Sequence, residues 1–211
     1  MMKKLILILT AVVAALSMSA QDVKLLAPQK SGGMPMMQVL AERHSVRQYD
    51  SKMISEQELS DLLWAAIGVN REDGKRTYPS CRNYQEICLF LFTAEGVSEY
   101  LPVNHSLKEI KRGDYRKLVA AGQEFVMQAP LSLVIVADMT KFGTVDERAK
   151  MMAAVDAGIV CENICLTATS LGLATVPRAT MDSAKIIELL GLDATQLPIM
   201  NNPIGHAAPV K

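Results

Sequence analysis

Four short segments carry side chains suited to binding or redox chemistry. The first is Arg43-His44-Ser45-Val46-Arg47, where two guanidiniums flank a hydroxyl. Arginine forks match the oxygens of phosphates and carboxylates, and a serine adds a donor; a solvated charged turn is the plain alternative. The second is Pro79-Ser80-Cys81-Arg82-Asn83, a polar loop whose proline sets a turn and whose serine and asparagine offer short polar groups. The third, Val176-Pro177-Arg178-Ala179-Thr180, falls between an expected strand and an expected helix, where free backbone N–H groups can face a ligand. The fourth is Pro203-Ile204-Gly205-His206, where a glycine permits close backbone approach. Each also reads as an ordinary turn or connection when taken alone.

Other chemistries find no support. There is no P-loop, no dinucleotide-binding glycine fingerprint, no zincin helix and no nucleophile elbow. The histidines are His44, His105 and His206, and they build no Ser-His-Asp set. His105 lies in a turn and receives no role. The cysteines Cys81, Cys88, Cys161 and Cys165 have no histidine at zinc spacing, so no metal site is expected. Cys161 and Cys165 share one helix face, a geometry poor for a disulfide. All four are expected free, with Cys88 and Cys165 filling the core.

These segments must be held by surrounding elements. Met36–Glu42 reads as a short helix. Ser55 with Glu58 forms a capping box that opens a helix to Ile67, with Leu59, Leu62, Leu63, Ala66 and Ile67 on its apolar face and Gly68 at its end. Ile87–Thr93 reads as a buried strand, Val97–Leu101 as its hairpin partner, and 114–121 and 124–128 as short helices. Leu131–Ala137 is a near-continuous apolar strand, as a sheet covered on both faces requires. Residues 147–171 form the longest helix, apolar nearly all round, which must be buried in a core or between subunits. A strand at 174–177, a helix at 183–190 capped by Asp182, and a strand at 197–204 complete a layered α+β or α/β domain.

The chain has 211 residues, with 22 basic and 22 acidic side chains. Such a balance gives no bulk attraction to nucleic acid or to an anionic membrane. Half the residues are hydrophobic, which excludes a mainly disordered chain. Lys3 and Lys4 precede an apolar run to Leu16 and small residues up to Ala20, the pattern of a cleaved signal peptide over residues 1–20. Its removal takes two lysines and leaves a net charge of −2 on a mature chain with no stable membrane span. An exported, periplasmic location follows as an expectation. Residues 21–33 read as a linker or extended tail, and 34–211 as a single domain.

In order, the segments resemble the FMN-dependent nitroreductase superfamily, and most closely its compact SagB-like and McbC-like oxidoreductase branch. The resemblance runs through R-H-S-V-R-Q-Y at 43–49, L-S-D-L-L-W-A-A-I-G-V-N at 59–70 and P-S at 79–80. It continues through A-P-L at 129–131, D-A-G at 156–158, L-G-L-A-T-V-P at 171–177 and P-I-G-H at 203–206. It implies a nitroreductase-like α+β fold, a central, mostly antiparallel sheet flanked by helices, in an intertwined homodimer with FMN at the interface. It places Arg43, Ser45 and Arg47 at the FMN phosphate and ribityl end, with His44 between them. Pro79, Ser80, Cys81 and Asn83 match a loop that reaches the flavin of the partner subunit. Pro177, Arg178, Ala179 and Thr180 match a segment beside the isoalloxazine N5 and O4 edge, and Gly205 and His206 a phosphate-side segment. No side chain is assigned as acid or base; Arg178 is a candidate for polarising flavin or substrate.

The implied activity is hydride transfer through flavin N5 to or from a small aromatic, quinone or nitro-type substrate, with NAD(P)H or another electron donor. Alternatives are a dehydrogenase or oxidase of a modified, azoline-type peptide, and a redox-inert flavin-binding module. Three departures stand out. Lys141-Phe142-Gly143 lacks the tyrosine that heterocycle-oxidising members carry before the glycine. Arg82 stands where small residues are usual, which suits an anionic substrate group. Met200-Asn201-Asn202 interrupts a normally apolar terminal strand.

Overall fold

The computed structural model describes residues 22–209. The expected signal peptide lies outside the described residues. The apolar runs noted above assemble into a seven-stranded sheet in the order β1-β4-β3-β2-β5-β7-β6. Its strands are β1 (Val23–Lys24), β2 (Ile87–Thr93), β3 (Gly96–Leu101), β4 (Ser106–Arg112), β5 (Leu131–Asp138), β6 (Leu173–Thr175) and β7 (Gln196–His206). Every neighbouring pair is antiparallel. The α+β architecture expected for the resemblance is thus present.

The apolar strands bury both faces. Along β5, Leu131, Leu133, Ile135 and Ala137 join one core with helices α2 (Glu56–Ile67) and α5 (Glu147–Ser170). Val134 and Val136, with Phe90 and Phe92 of β2, join a second core on the opposite face. That face is covered by α3 (Arg116–Ala120), α4 (Phe125–Gln128) and α6 (Ser183–Leu190), while α1 (Met36–Glu42) lies against α5. Period-two alternation in a doubly covered strand therefore divides its side chains between two apolar layers.

Local signals set the helix ends. The Ser55 side chain accepts from the Glu58 backbone while Glu58 reaches back to Ser55 N–H, a complete capping box. Asp146 caps α5 by accepting from Ala149 N–H at 2.8 Å. The expectation for α5 needs refinement: one face packs into the core, but Met151 and Val155 stay more than half exposed.

Two strand expectations are corrected. β4 was not expected, because Leu107, Ile110 and the charged residues between them alternate only weakly and β4 pairs outward with just the two residues of β1. β7 is not interrupted: Met200, Asn201 and Asn202 pair opposite Ile135, Val134 and Leu133. Both asparagines are fully buried and hydrogen-bonded, so their side chains cost the strand no unsatisfied amide.

The stretch 22–33 is extended and lies across the domain. Leu25 N–H donates to His105 O, and Gln29 N–H to Asp61 Oδ1 at 2.7 Å. His105, unassigned from sequence, joins the strap to the core: Nδ1 lies 2.8 Å from the Tyr100 hydroxyl and Nε2 2.9 Å from Leu26 O. Burial holds this imidazole below its ordinary pKa, so the neutral ring serves both contacts.

Candidate functional site

Three of the four segments converge on one end of the sheet. After α1 the chain runs extended, and Val46 N–H donates to Thr175 O at 3.0 Å, tying it to β6. Further along, Asp50 N–H donates to His206 O and Ala208 N–H to Gln48 O, which lays residues 46–50 against the end of β7. β6 pairs the same end, with Leu173 opposite His206 and Ala174 opposite Gly205. Residues 43–47, 176–180 and 203–206 are therefore neighbours, although about 160 positions separate the first from the last.

Their free polar groups form a donor set. Arg47 and Ser45 are exposed and Arg43 is half-buried. Among the described residues neither guanidinium forms an ion pair. His44 is exposed, its Nδ1 2.7 Å from Glu42 O. Pro177, Ala179 and Thr180 are exposed, and the N–H groups of Ala179 and Thr180 have no backbone acceptor among the described residues. His206 is buried, and its Nε2 has no hydrogen-bond partner; Glu58 Oε2 stands 3.7 Å away. Burial opposes ionisation of Glu58, but the Ser55 N–H and hydroxyl hold its carboxyl below the usual value.

Arg178 differs from its sequence expectation. Its side chain turns into the protein, 8% exposed. Nε donates to Gln123 Oε1, Nη1 to Val119 O and Asn201 Oδ1, and Nη2 to Ala120 O, at 2.6 to 3.2 Å. Four of its N–H donors are thus engaged by the scaffold. This replaces the proposed polarising role with a structural one, and the segment offers a ligand its neighbours' backbone instead. Gly205 also has a packing reason: a Cβ there would stand 2.7 Å from Pro130 Cδ and 3.1 Å from Tyr49 Cδ1.

The remaining segment, Pro79–Asn83, lies elsewhere in the same chain. Pro79 and Asn83 are exposed; Ser80 and Cys81 are half-buried. Cys81 N–H donates to Asp156 Oδ2 at 2.7 Å, which fastens the loop midway along α5. Arg43 caps the end of α1, which packs on that helix, and the helix's Cys161 and Cys165 meet the Asn202 side chain of β7. From Asp156 to Cys165 the helix rises about 13 Å. Asp156 entered the sequence reading only as part of a motif, and Glu86, fully buried beside it, not at all. Neither residue's burial has a local signal.

Beside this loop is a cleft of 250 Å³ whose lining includes Cys81, Arg82, Tyr84, Phe142, Arg148 and Met152. Phe142 meets Tyr84 edge-on at 4.9 Å. Arg82 and Arg148 are exposed and form no ion pair among the described residues. A larger cavity of 340 Å³ lies between the 29–36 strap, Trp64 and the end of α5, and its lining includes none of the convergent donors. All four cysteines are free, and among the described residues no cluster of metal-ligating side chains occurs.

Known proteins resemble this chain in sequence and fold. A Methanocaldococcus jannaschii protein that carries the nitroreductase name is 34% identical over 178 residues, 80% of this chain and 89% of that one. The Bacillus subtilis FMN reductase [NAD(P)H] is 24% identical over 184 residues, 80% of this chain and 64% of that one. A crystal structure from Ralstonia eutropha, also bearing the nitroreductase name, superposes with a TM-score of 0.83 at 34% identity and covers 92% of this chain and 93% of its own. Residues 40–206 match the nitroreductase family as a whole, from the arginine-rich segment to the end of β7, and the chain belongs to that family of oxidoreductases.

Proposed function

We propose that the protein is an FMN-dependent oxidoreductase acting on a small aromatic, quinone or nitro-type substrate. The observation that carries this reading is the convergence of Arg43, Ser45 and Arg47 with the open amides of Ala179 and Thr180 in a chain of this family. The donor set fits the cofactor chemically. Two unpaired guanidiniums and a hydroxyl suit a terminal phosphate, backbone N–H groups suit a ring carbonyl or N5 edge, and the orphaned His206 Nε2 awaits a polar partner. Bound flavin would supply hydride transfer at N5; the protein's part is to hold and orient it.

The reading extends to a homodimer. Met36, Met37 and Leu40 on α1 and Met151 and Val155 on α5 are large apolar side chains left in solvent by a single chain. The separation of the 79–83 loop from Arg43 along α5 suits a loop that serves the partner's cofactor. The cleft with Arg82, Arg148 and an aromatic edge favours an acceptor with an anionic group. Phe142, packed on Tyr84 and without a phenol, weighs against the azoline-peptide alternative. Export to the periplasm remains part of the proposal, with the electron donor NAD(P)H or one available outside the cytoplasm.

Purified mature protein should be yellow, with the two visible flavin bands, and should run at dimer mass in light scattering. Arg43→Ala should release flavin on extended dialysis while the parent retains it. A colourless chain that takes up no added FMN would overturn the reading. Anaerobic bleaching by NADH, by NADPH or by neither identifies the donor.

A further inference from the structure

Two carboxyl groups from different elements meet beneath the Pro79–Asn83 loop. Glu86, just before β2, has no exposed surface, and neither of its oxygens has a hydrogen-bond donor. Asp156, 5% exposed on α5, stands within hydrogen-bonding reach of it and uses Oδ2 to accept Cys81 N–H. Two ionised carboxylates are acceptors only, so the arrangement leaves Glu86 orphaned as an anion. One proton between them satisfies both groups.

We propose that Glu86 is kept protonated, donates to Asp156, and through it positions the Pro79–Asn83 loop. Glu86 and Asp156 are thus positioning residues rather than catalytic ones. The loop needs such an anchor. Arg82, Asn83 and Gln85 adopt left-handed backbone conformations with φ of 49°, 58° and 53°. These are sparsely populated for non-glycine residues and persist only where surrounding contacts impose them. Internal bonds supply part of this, as Gln85 N–H donates to Ser80 Oγ and Asn83 N–H to Ser80 O. The contact that fastens the loop backbone to α5 is Cys81 to Asp156.

The charges around Glu86 agree. Burial first, then Asp156, pushes the Glu86 carboxyl up to about 7, against the opposing pull of its own backbone N–H and, more weakly, of the Arg76 charge. From the preceding loop, Arg76 directs Nη1 to Ile87 O, and the buried Tyr78 hydroxyl accepts from Ile87 N–H. From β5, Asp138 meets Glu86 through its backbone N–H alone, its carboxylate being taken by Thr140. Above about pH 7 Glu86 ionises and loses the proton it donates to Asp156, and the loop loosens. The consequence for cofactor binding rests on the function proposed above; the ordering of the loop does not.

Trypsin reads the loop through its exposed Arg82–Asn83 bond. Wild type and Glu86→Gln are compared at the same pH, so that the protease's own pH dependence cancels. Glutamine donates to Asp156 at every pH, so the two should be cut equally at pH 6. At pH 8.5 wild type should be cut severalfold faster, because the ionised fraction of Glu86 rises from about a tenth at pH 6 to nearly all at pH 8.5. Asp156→Ala should be cut faster than wild type at both. A wild-type to Glu86→Gln ratio that does not change with pH would overturn the proposal, even if Asp156→Ala fails to fold. A colourless protein with a pH-dependent loop removes the cofactor reading and leaves this one; a flavoprotein with a pH-independent loop does the reverse.

Discussion

Two buried polar clusters lie against the same sheet, and they differ in how fully their groups are satisfied. Around Arg178, four N–H donors meet two backbone carbonyls, Gln123 and Asn201, and Asn201 donates onward to Thr180 O. Around Glu86, a carboxyl with no exposed surface faces another carboxyl, and the buried Nε of Arg76 also has no partner. The first cluster has one good arrangement and behaves as a bolt between β7 and the α3 end. The second depends on a single proton. Complete satisfaction makes a polar group structural; incomplete satisfaction makes it responsive to conditions.

The sharpest break in this comparison is Arg178→Met. It leaves the Val119 carbonyl and Asn201 Oδ1 without donors and the Ala120 carbonyl with Gln123 N–H alone, and should cost about 3–5 kcal/mol in urea unfolding. Arg178→Lys, with fewer donors and no fork, should recover only part of the loss. A smaller cost than that of an ordinary surface substitution would show that the bolt is not structural.

The Glu86 cluster should show itself as a pH effect of intermediate size. A carboxyl raised to about 7 in the folded protein binds a proton there that the unfolded chain, with an ordinary value of 4.5, has lost. Its contribution is therefore fully present below the unfolded value and declines as pH rises through about 7, by roughly 3 kcal/mol in total. The stability of Glu86→Gln relative to wild type should rise from pH 5 to 7 and level off above. A flat difference would place Glu86 among fully satisfied groups.

The smallest effect belongs to a local polar cluster. Ser55→Ala removes half of the capping box on α2 and should cost about 1 kcal/mol, with no dependence on Arg178 or Glu86. Non-additivity in the double variants would mean that the cap is coupled to the sheet.

These regions also differ in how legible they were. The capping box was readable because its partners lie three residues apart, and the two-faced burial of β5 because a near-continuous apolar run needs cover on both sides. The weak alternation of β4 hid an edge strand. Arg178 stands in a segment that its residue types mark, but its side-chain direction depends on carbonyls 58 and 59 positions away. Glu86 gave no sign, because the group that explains it sits on α5, and the Cys81–Asp156 bond that uses it spans 75 residues.

Sequence alone determined which segments carry donors, which runs form helices and strands, and which family the pattern resembles, because those properties depend on near neighbours and on order along the chain. Tertiary structure decided that residues 43–47, 176–180 and 203–206 share one end of the sheet while 79–83 lies apart, and that Arg178 faces inward. It also decided that Asn201 and Asn202 complete β7 rather than break it. The physical reason is common to all of these: a polar group's role is set by the partners that burial leaves it, and strand pairing and helix packing bring those partners from distant parts of the chain.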